Sequence, residues 1–452
     1  MKNLSDITIE HMPGLDYKCS CGKSHKVRIK NISIGKEILN QLPDLIRDYE
    51  NKKVFIVEDK HTFQVAGKKV QKILNNKFKV TKYIFDDEHL VPNEITLGRL
   101  MMKIPQDTAL IIAVGSGTIN DISRFISCKI GIPYVIVGTA PSMDGYASVV
   151  SPLVCDGVKI TYDAVYPMSI VADIDIMKRA PMQMIQAGLG DILGKYTALA
   201  DWHLANTLKN EHFCTEIESL VLHSLKKCEE AVPGLTTRNE NTVKNIIDSL
   251  ILSGIAIGMV GLSRPASGSE HQLSHCYEMI FMNRGGTTKW LHGNTVGVGV
   301  GAAAYGYKYL ENIDINEVLK KGGYLHLDRN KWRQNIKDVY TKSAENIIEF
   351  KEKSIDFKIE DRRSNMEKIV EKWDRIQSIC HMNVPEPEKI IDILKKADAV
   401  WNPKDIGLDR ELFRKSFIAA KDMRNRYGVF QLLEDIGELD KAADFAADIY
   451  YR

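Results

Sequence analysis

The sequence predicts an α/β protein in two parts: an N-terminal domain built on a parallel sheet, then a C-terminal domain made only of helices. Three observations predict it. Short β-branched runs alternate with longer polar–apolar periodic stretches through the first third of the chain. An interlude of alternating apolar residues follows, and from about Met177 to Arg452 only helical periodicity remains. Alternation of the first kind argues for βαβ units, and so for parallel strands covered by helices.

In chain order, the expected strands are Val54–Val57, Val80–Phe85, Leu110–Val114 and Tyr134–Val137, whose β-branched and aromatic residues suit a buried pleat. Before and between them, Lys36–Tyr49, His61–Leu74, Asn93–Met102 and Asn120–Ile130 repeat apolar residues at helical spacing. The interlude from Ala147 to Asp173 alternates in VKITYDAVY and SIVADID and reads as further strands. The second part contains QAGLGDILGKYTALADWHLAN, TVKNIIDSLILSGIAIGMVGL and a long run from Leu412, all of helical period. The boundary is placed near Ala172–Ile176, giving domains 1–173 and 174–452. The charge-rich region 330–375 reads as a solvated helical face.

The chain has 452 residues, 44% hydrophobic and 27% charged, which excludes disorder, collagen-like repeats and a disulfide miniprotein. Its 61 basic and 59 acidic residues leave a charge of +2, so no general attraction to nucleic acid or an anionic membrane is expected. Of eight cysteines, Cys128, Cys155, Cys214, Cys228 and Cys276 stand singly inside apolar or helical patterns, as in a reducing cytosol. The N-terminal MKNLSDITIEHMPGLDYK lacks the apolar run of a signal peptide. The longest uncharged apolar stretch, Ser249–Ser263, is short for a bilayer and holds three glycines. These features predict a soluble, cytoplasmic protein without an integral membrane segment.

The segment ALIIAVGSGTINDISRF runs a buried strand through Gly115-Ser116-Gly117-Thr118 into a helix. Glycines there let a phosphate approach backbone N–H groups, and the helix N-terminus adds dipole and orphan donors. The third glycine of the dinucleotide fingerprint is replaced by Asn120, and no Gly-Lys-Ser/Thr makes a P-loop. Two neighbours strengthen the reading. Strand Val54–Val57 leads into Glu58-Asp59, where a carboxylate can accept from a ribose hydroxyl, and the strand after the glycine turn leads into Gly138-Thr139-Ala140-Pro141-Ser142-Met143-Asp144-Gly145. Together they predict a dinucleotide cleft past the strand C-termini.

Asp191, His271, His275 and His292 are candidate metal ligands. His271 and His275 share one face at i, i+4 if SEHQLSHCYEM is helical. An aspartate with two histidines leaves open positions for a substrate oxygen, the arrangement of a catalytic ion. The pair alone is weak: with 12 histidines, an H-x-x-x-H arises by chance in roughly one such chain in three.

Taken together, Gly115-Ser116-Gly117-Thr118-Ile119-Asn120-Asp121, the T-A-P-S-M-D-G-Y-A-S block at 139–148, Gly190-Asp191-x-x-Gly194-Lys195, the His271/His275 pair and His292-Gly293 resemble the sn-glycerol-1-phosphate dehydrogenases. The likeness is greatest to the bacterial branch, within the superfamily of iron-containing alcohol dehydrogenases, glycerol dehydrogenase and dehydroquinate synthase. It runs from about Val27 to Tyr307 and, more loosely, to Arg424-Asn425-Arg426-Tyr427.

The resemblance implies a dehydroquinate synthase-like N-terminal domain, a helical C-terminal domain and an active site in the cleft between them. Asp59, Gly115, Ser116, Gly117, Thr118, Ile119, Thr139, Ala140, Pro141, Ser142 and Ser148 would contact NAD(H), with NADP(H) left open. Asp191, His271 and His292 would hold one divalent ion, zinc or nickel, with iron also compatible; Asp144, Asp191 and His275 would face the substrate, Asp191 and His275 as catalytic residues. The implied reaction interconverts dihydroxyacetone phosphate and sn-glycerol 1-phosphate in a cytoplasmic homo-oligomer, expected as a homodimer. Lys159, Lys195 and Arg264 are unranked candidates for the phosphate. Glycerol dehydrogenase is the nearest rival, a carbon–oxygen lyase like dehydroquinate synthase the next, and a nucleotide-binding sensor with a vestigial site the last. Phe281–Gly286 lengthens the stretch before His292 and departs from the family pattern.

Cys19-x-Cys21-x₃-His25 lies outside those motifs. A closed zinc site needs four ligands, usually with C-x₂₋₄-C spacing, and no second pair follows. Tyr17–Cys19 and Val27–Ile32 read as extended runs with Ser20–Ser24 turning between them. A β-hairpin with Gly22 in its turn is expected there, without a second metal.

Overall fold

The computed structural model describes residues 3–155, 157–285, 289–354 and 358–452. Its strands are β1 (Asp16–Lys18), β2 (Ser24–Lys26), β3 (Asn31–Gly35), β4 (Lys53–Asp59), β5 (Lys79–Phe85), β6 (Thr108–Gly115), β7 (Tyr134–Gly138), β8 (Val150–Cys155), β9 (Val158–Asp163) and β10 (Ser169–Asp173). Six form one sheet in the order β3-β10-β7-β6-β4-β5, every pair parallel. All four strands expected in the first third are present. Inner strands of such a sheet are covered on both faces, which is why β6 and β7 read as unbroken apolar runs. Val54, Ile56, Leu110, Ile112, Val135 and Val137 pack on one face against Leu39, Val70 and Leu74.

Crossover helices lie where the periodicity places them: α1 (Lys68–Leu74), α2 (Glu94–Met101) and α3 (Gly117–Ile130). Asn93 caps α2, its Oδ1 accepting from Thr96 N at 3.0 Å. Lys36–Tyr49 is not one helix; it breaks into turns at Ile38–Gln41, Leu42–Leu45 and Arg47–Tyr49. Pro43, which has no N–H to give a preceding turn, sits in the first turn of the middle piece.

The expected hairpin is there, but its second strand is Ser24–Lys26 rather than Val27–Ile32. Val27 N donates to Leu15 O at 2.9 Å and closes the hairpin; Lys30 N then bonds Met168 O at 2.8 Å and leads the chain into β3. β8 and β9 form a separate antiparallel ribbon.

By compactness the chain divides into Met1–Ile192 with Thr215–Ser263, and Leu193–Cys214 with Arg264–Arg452. The expected division at 173/174 follows the change from strands to helices, whereas the compact units cross it. In the sheet unit, α4 (Met182–Leu193) is followed, after the excursion into the other unit, by α6 (Thr215–Ala231) and α7 (Glu240–Val260). Helix α7 is long and apolar enough to cross a membrane, yet 78% of that apolar window is buried. It packs on α6 and on the turn Asp144–Ala147. A Cβ at Gly254 would lie 2.5 Å from Asp144 O, so only glycine permits that approach.

The helical unit contains α5 (Lys195–Lys209), α8 (Ser269–Asn283), α9 (His292–Glu311) and C-terminal helices including Arg410–Ala419, Val429–Asp435 and Leu439–Tyr450. No strand follows Asp173 among the described residues. Glycines on α9 let it lie close to α8, since a Cβ at Gly299 would be 2.5 Å from Glu270 O. Of Phe281–Gly286, Gly286 is outside the described residues and the rest closes α8. Residues 355–357 of the charge-rich region are also outside them. The remainder of that region is helical and largely exposed, but Arg362 and Lys351 are buried, and Arg362 Nη2 donates to Glu434 O at 2.9 Å.

Candidate active site

In the sheet unit, β6 ends at Gly115 and α3 starts two residues later. A Cβ at Gly115 would sit 2.6 Å from Ile119 Cβ, so the tight return of helix onto strand requires glycine. Ser116 makes no side-chain capping bond. The first-turn N–H groups of α3 are therefore not capped from that residue and suit an anion. Ile119 is buried and serves packing, while Ser116, Gly117 and Thr118 are half-buried.

The loop after β7 stays beside this turn because Thr139 N donates to Gly115 O at 3.1 Å. Helix α3 then fixes the loop's far end. Asn120 Nδ2 donates to Gly145 O at 3.1 Å, and Arg124 donates to Val150 O at 2.7 Å and to Gly145 O. Tyr146 OH reaches back to Ala140 O at 2.6 Å. Ser148 Oγ accepts from Val150 N at 3.1 Å, a local turn bond. Burial pushes the Asp121 carboxyl up to about 7, even with Arg124 at 3.2 Å.

Asp59, expected at the ribose, has a structural duty here. Its Oδ1 accepts from His61 N and Thr62 N, both at 2.8 Å, capping the turn after β4. Beside it, Glu58 is buried against Gly67, neither carboxyl oxygen has a hydrogen-bond partner among the described residues, and burial pushes its pKa up to about 7. Asp191, buried on α4, accepts from Asp144 N at 2.8 Å, and Asp144 Oδ2 accepts from Ser253 Oγ at 2.9 Å. Asp191, Asp144 and the 139–148 loop therefore form one neighbourhood.

In the helical unit, α8 carries His271, His275 and Glu278, and His292 begins α9. The rings of His275 and His292 are stacked with centroids 5.0 Å apart, and that of His271 lies 5.2 Å from His292. Each imidazole meets a carboxylate at Nδ1. Glu270 Oε1 is 2.7 Å from His271; Glu278 Oε1 is 2.7 Å from His292, and its Oε2 is 3.3 Å from His275. Donation from Nδ1 leaves each Nε2 as the lone-pair atom, the tautomer a metal ligand needs. Glu270 is buried and also accepts from Thr197 Oγ1 at 2.5 Å and Gly268 N at 2.7 Å. Burial pushes its pKa up, but these bonds and His271 outweigh it and hold the group below the ordinary value.

Asp201 anchors the start of α8: it accepts from Ser269 N at 2.5 Å, Tyr307 OH at 2.6 Å and Val429 N at 2.8 Å. Of the phosphate candidates, Arg264 is forked onto Glu211 at 2.6 and 2.7 Å and Lys195 Nζ donates to Ala266 O at 3.0 Å, so both are engaged in structural bonds. Lys159 lies on β9. Arg424, which was not among the candidates, is a cation that burial lowers to about 10 while Glu278 pulls the other way. Glu270 and Glu278 were missed too, although Glu270 adjoins His271 and Glu278 follows His275 by three, a pairing distance on a helix.

Residues 33–181, the stretch that builds most of the parallel sheet, match the family model for iron-containing alcohol dehydrogenase. The fold agrees: glycerol dehydrogenase from Schizosaccharomyces pombe superposes with a TM-score of 0.62 at 15% identity, covering 93% of this chain and 90% of that one. In that stretch and in fold the chain thus resembles the class of iron-containing alcohol dehydrogenases, oxidoreductases dependent on NAD(P) and a metal. Within it, glycerol-1-phosphate dehydrogenase [NAD(P)+] of Geobacillus thermodenitrificans is 31% identical over 433 residues, 95% of this chain and 98% of the relative. The like-named protein of Halalkalibacterium halodurans is 37% identical over 285 residues, 62% of this chain and 71% of its own. The chain belongs to the glycerol-1-phosphate dehydrogenase family.

Proposed function

We propose that this chain reduces dihydroxyacetone phosphate to sn-glycerol 1-phosphate, reversibly, with a reduced nicotinamide dinucleotide and one divalent ion. The observation that carries the reading is the set of three imidazoles, each with Nδ1 held by a carboxylate, in a chain alike to such dehydrogenases over nearly its whole length. Asp191, His271 and His292 are the proposed ligands, one carboxylate and two Nε2 atoms, a donor set that suits zinc, nickel or ferrous iron. We take nickel or zinc as the ion. When bound, the ion supplies Lewis acidity at the carbonyl oxygen and the nicotinamide supplies hydride.

The chain's own residues do the rest. The 115–119 turn donates backbone N–H groups to the pyrophosphate. Asp59, with Oδ1 committed to its cap, turns its other oxygen to the ribose 2′-hydroxyl and repels a 2′-phosphate, which favours NADH. Thr139, Ala140, Pro141, Ser142 and Ser148 line the nicotinamide side. Asp144 and His275 orient the substrate, and His275 exchanges a proton with it at Nε2 because Nδ1 is occupied by Glu278. Arg424, a half-buried cation, suits the phosphate dianion. A reducing compartment, the cytoplasm, fits eight cysteines that are all thiols.

The test assays purified protein with NADH and dihydroxyacetone phosphate, with NAD+ and glycerol, and with NAD+ and the heptulosonate substrate of dehydroquinate synthase. Turnover of the phosphorylated ketone alone is expected; turnover of glycerol in its place would overturn the substrate assignment. Asp191→Asn, His271→Ala and His292→Ala should each abolish turnover while NADH still binds. A variant that keeps wild-type activity removes its residue from the ligand set.

A further inference from the structure

The β1–β2 hairpin holds a cluster that this reaction does not use. Cys19, Cys21 and His25 bring two thiols and an imidazole together with ligand atoms within 4.8 Å of one another. Cys21 Sγ is 3.4 Å from His25 Nε2. A tetrahedral zinc bound to thiolate and imidazole sets that edge at about 3.6 Å. The turn makes this possible: Gly22 has φ +87°, its N–H donates to Cys19 O at 3.2 Å, and Cys21 N donates to Cys19 Sγ at 3.5 Å.

The imidazole is set up as a ligand. His25 is 1% exposed, and its Nδ1 lies 3.0 Å from Met259 O. A carbonyl can only accept, so Nδ1 carries the hydrogen and Nε2 faces the thiols with its lone pair. Backbone carbonyls orient metal-bound histidines in this way.

The spacing of the sequence offered no fourth donor, but the path of the chain does. Helix α6 starts beside the hairpin, where Glu216 Oε2 accepts from Tyr17 OH at 3.2 Å and from Leu4 N at 2.8 Å. Cys214 precedes Glu216 by two residues, abuts the first residue of α6 and is 1% exposed.

We propose that Cys19, Cys21, His25 and Cys214 form a structural zinc site that fastens the N-terminal hairpin to the start of α6. On binding, three thiols release their protons to solvent, and the resulting Zn²⁺ with three thiolates and a neutral imidazole carries one negative charge. Lys18 and Lys23, flanking the cysteines, compensate it. The staple has a use. A two-stranded hairpin of three-residue strands is marginal by itself.

The test is metal content by plasma mass spectrometry on full-length protein from zinc-supplied culture, dialysed against EDTA. The His271→Ala/His292→Ala variant, stripped of the catalytic ligands, should keep one zinc per chain. Cys19→Ser/Cys21→Ser should lose that zinc and melt earlier, and Cys214→Ser should weaken it strongly. Against misfolding of the variants, wild-type protein is titrated with p-hydroxymercuribenzoate, which should release one zinc per chain as thiols are blocked. Cobalt in its place should show thiolate charge-transfer absorption with the intensity of three sulfurs. Zinc-free protein in the histidine variant, or unchanged zinc in the double cysteine variant, overturns the site. Full zinc retention in Cys214→Ser overturns the fourth ligand. Because the histidine variant lacks catalysis, these outcomes are independent of the proposed reaction.

Discussion

Glu278 spans two imidazoles with one carboxylate, and replacing it separates orientation of the ligands from direct coordination. In the wild type Oε1 accepts from His292 at 2.7 Å and Oε2 from His275 at 3.3 Å. Glu278→Ala removes both acceptors, so both rings are free to turn and to move the hydrogen to Nε2. Loss of such a carboxylate costs about 10–100-fold in metal affinity. Because the shorter bond serves the proposed ligand His292, the upper end, about 100-fold or ~2.7 kcal/mol, is expected. Glu278→Gln retains one acceptor oxygen. If it faces His292, the amide NH₂ opposes His275 Nδ1 and drives that ring to the other tautomer. Affinity should then fall about 10-fold, with a larger loss in kcat at saturating metal. The assay titrates metal-free protein with zinc or nickel against a chromophoric chelator, with melting curves to verify folding. Wild-type affinity in Glu278→Ala would refute the orienting role. An equal loss well beyond 100-fold in both variants would make Glu278 itself a ligand.

Glu58 should make stability depend on pH. Its folded pKa of about 7 lies above the ordinary 4.5, so the folded state holds the proton more tightly. Stability is fully present below about 4.5 and is lost as pH rises through 7. Glu58→Gln should therefore be near neutral at pH ~4.5 and stabilising by about 2–3 kcal/mol at pH ~8; an equal change in melting temperature at both pH values would refute the buried acid. Asp59→Ala should raise KM for NADH more than for NADPH and, through the lost cap, lower stability by about 1 kcal/mol. Equal kcat/KM for both cofactors, unchanged by the substitution, would remove Asp59 from the site.

The strands β4, β6 and β7 were legible because a doubly covered parallel strand must be a continuous apolar run. β3 was not: Asn31-Ile32-Ser33-Ile34-Gly35 is half polar, and its pairing with β10 joins residues more than a hundred positions apart. The break in Lys36–Tyr49 was available in Pro43, but the apolar period around it masked the signal. In the site, Asp191 and the His271/His275 spacing were visible as ligand chemistry. Glu270 and Glu278 were not, because a glutamate in a helix reads as surface until the helix is known to be buried. Arg264 looked available for an anion only while Glu211, fifty-three residues earlier, was unplaced.

The chain leaves the sheet unit after Ile192, returns at Thr215 and leaves again after Ser263. Neither unit is therefore a single contiguous segment of the polypeptide. During synthesis, the sheet has all its strands once Asp173 has emerged, but it lacks α6 and α7 until Ser263. The early segment 193–214 has to wait still longer, for residues beyond Arg264 to supply the rest of its unit. A gene fragment cut where strands give way to helices thus ends with Asp144 deprived of Ser253 and with the Asp144–Ala147 turn uncovered. Protection of that half-built surface, on the ribosome as in any truncated fragment, becomes a requirement of this order of segments.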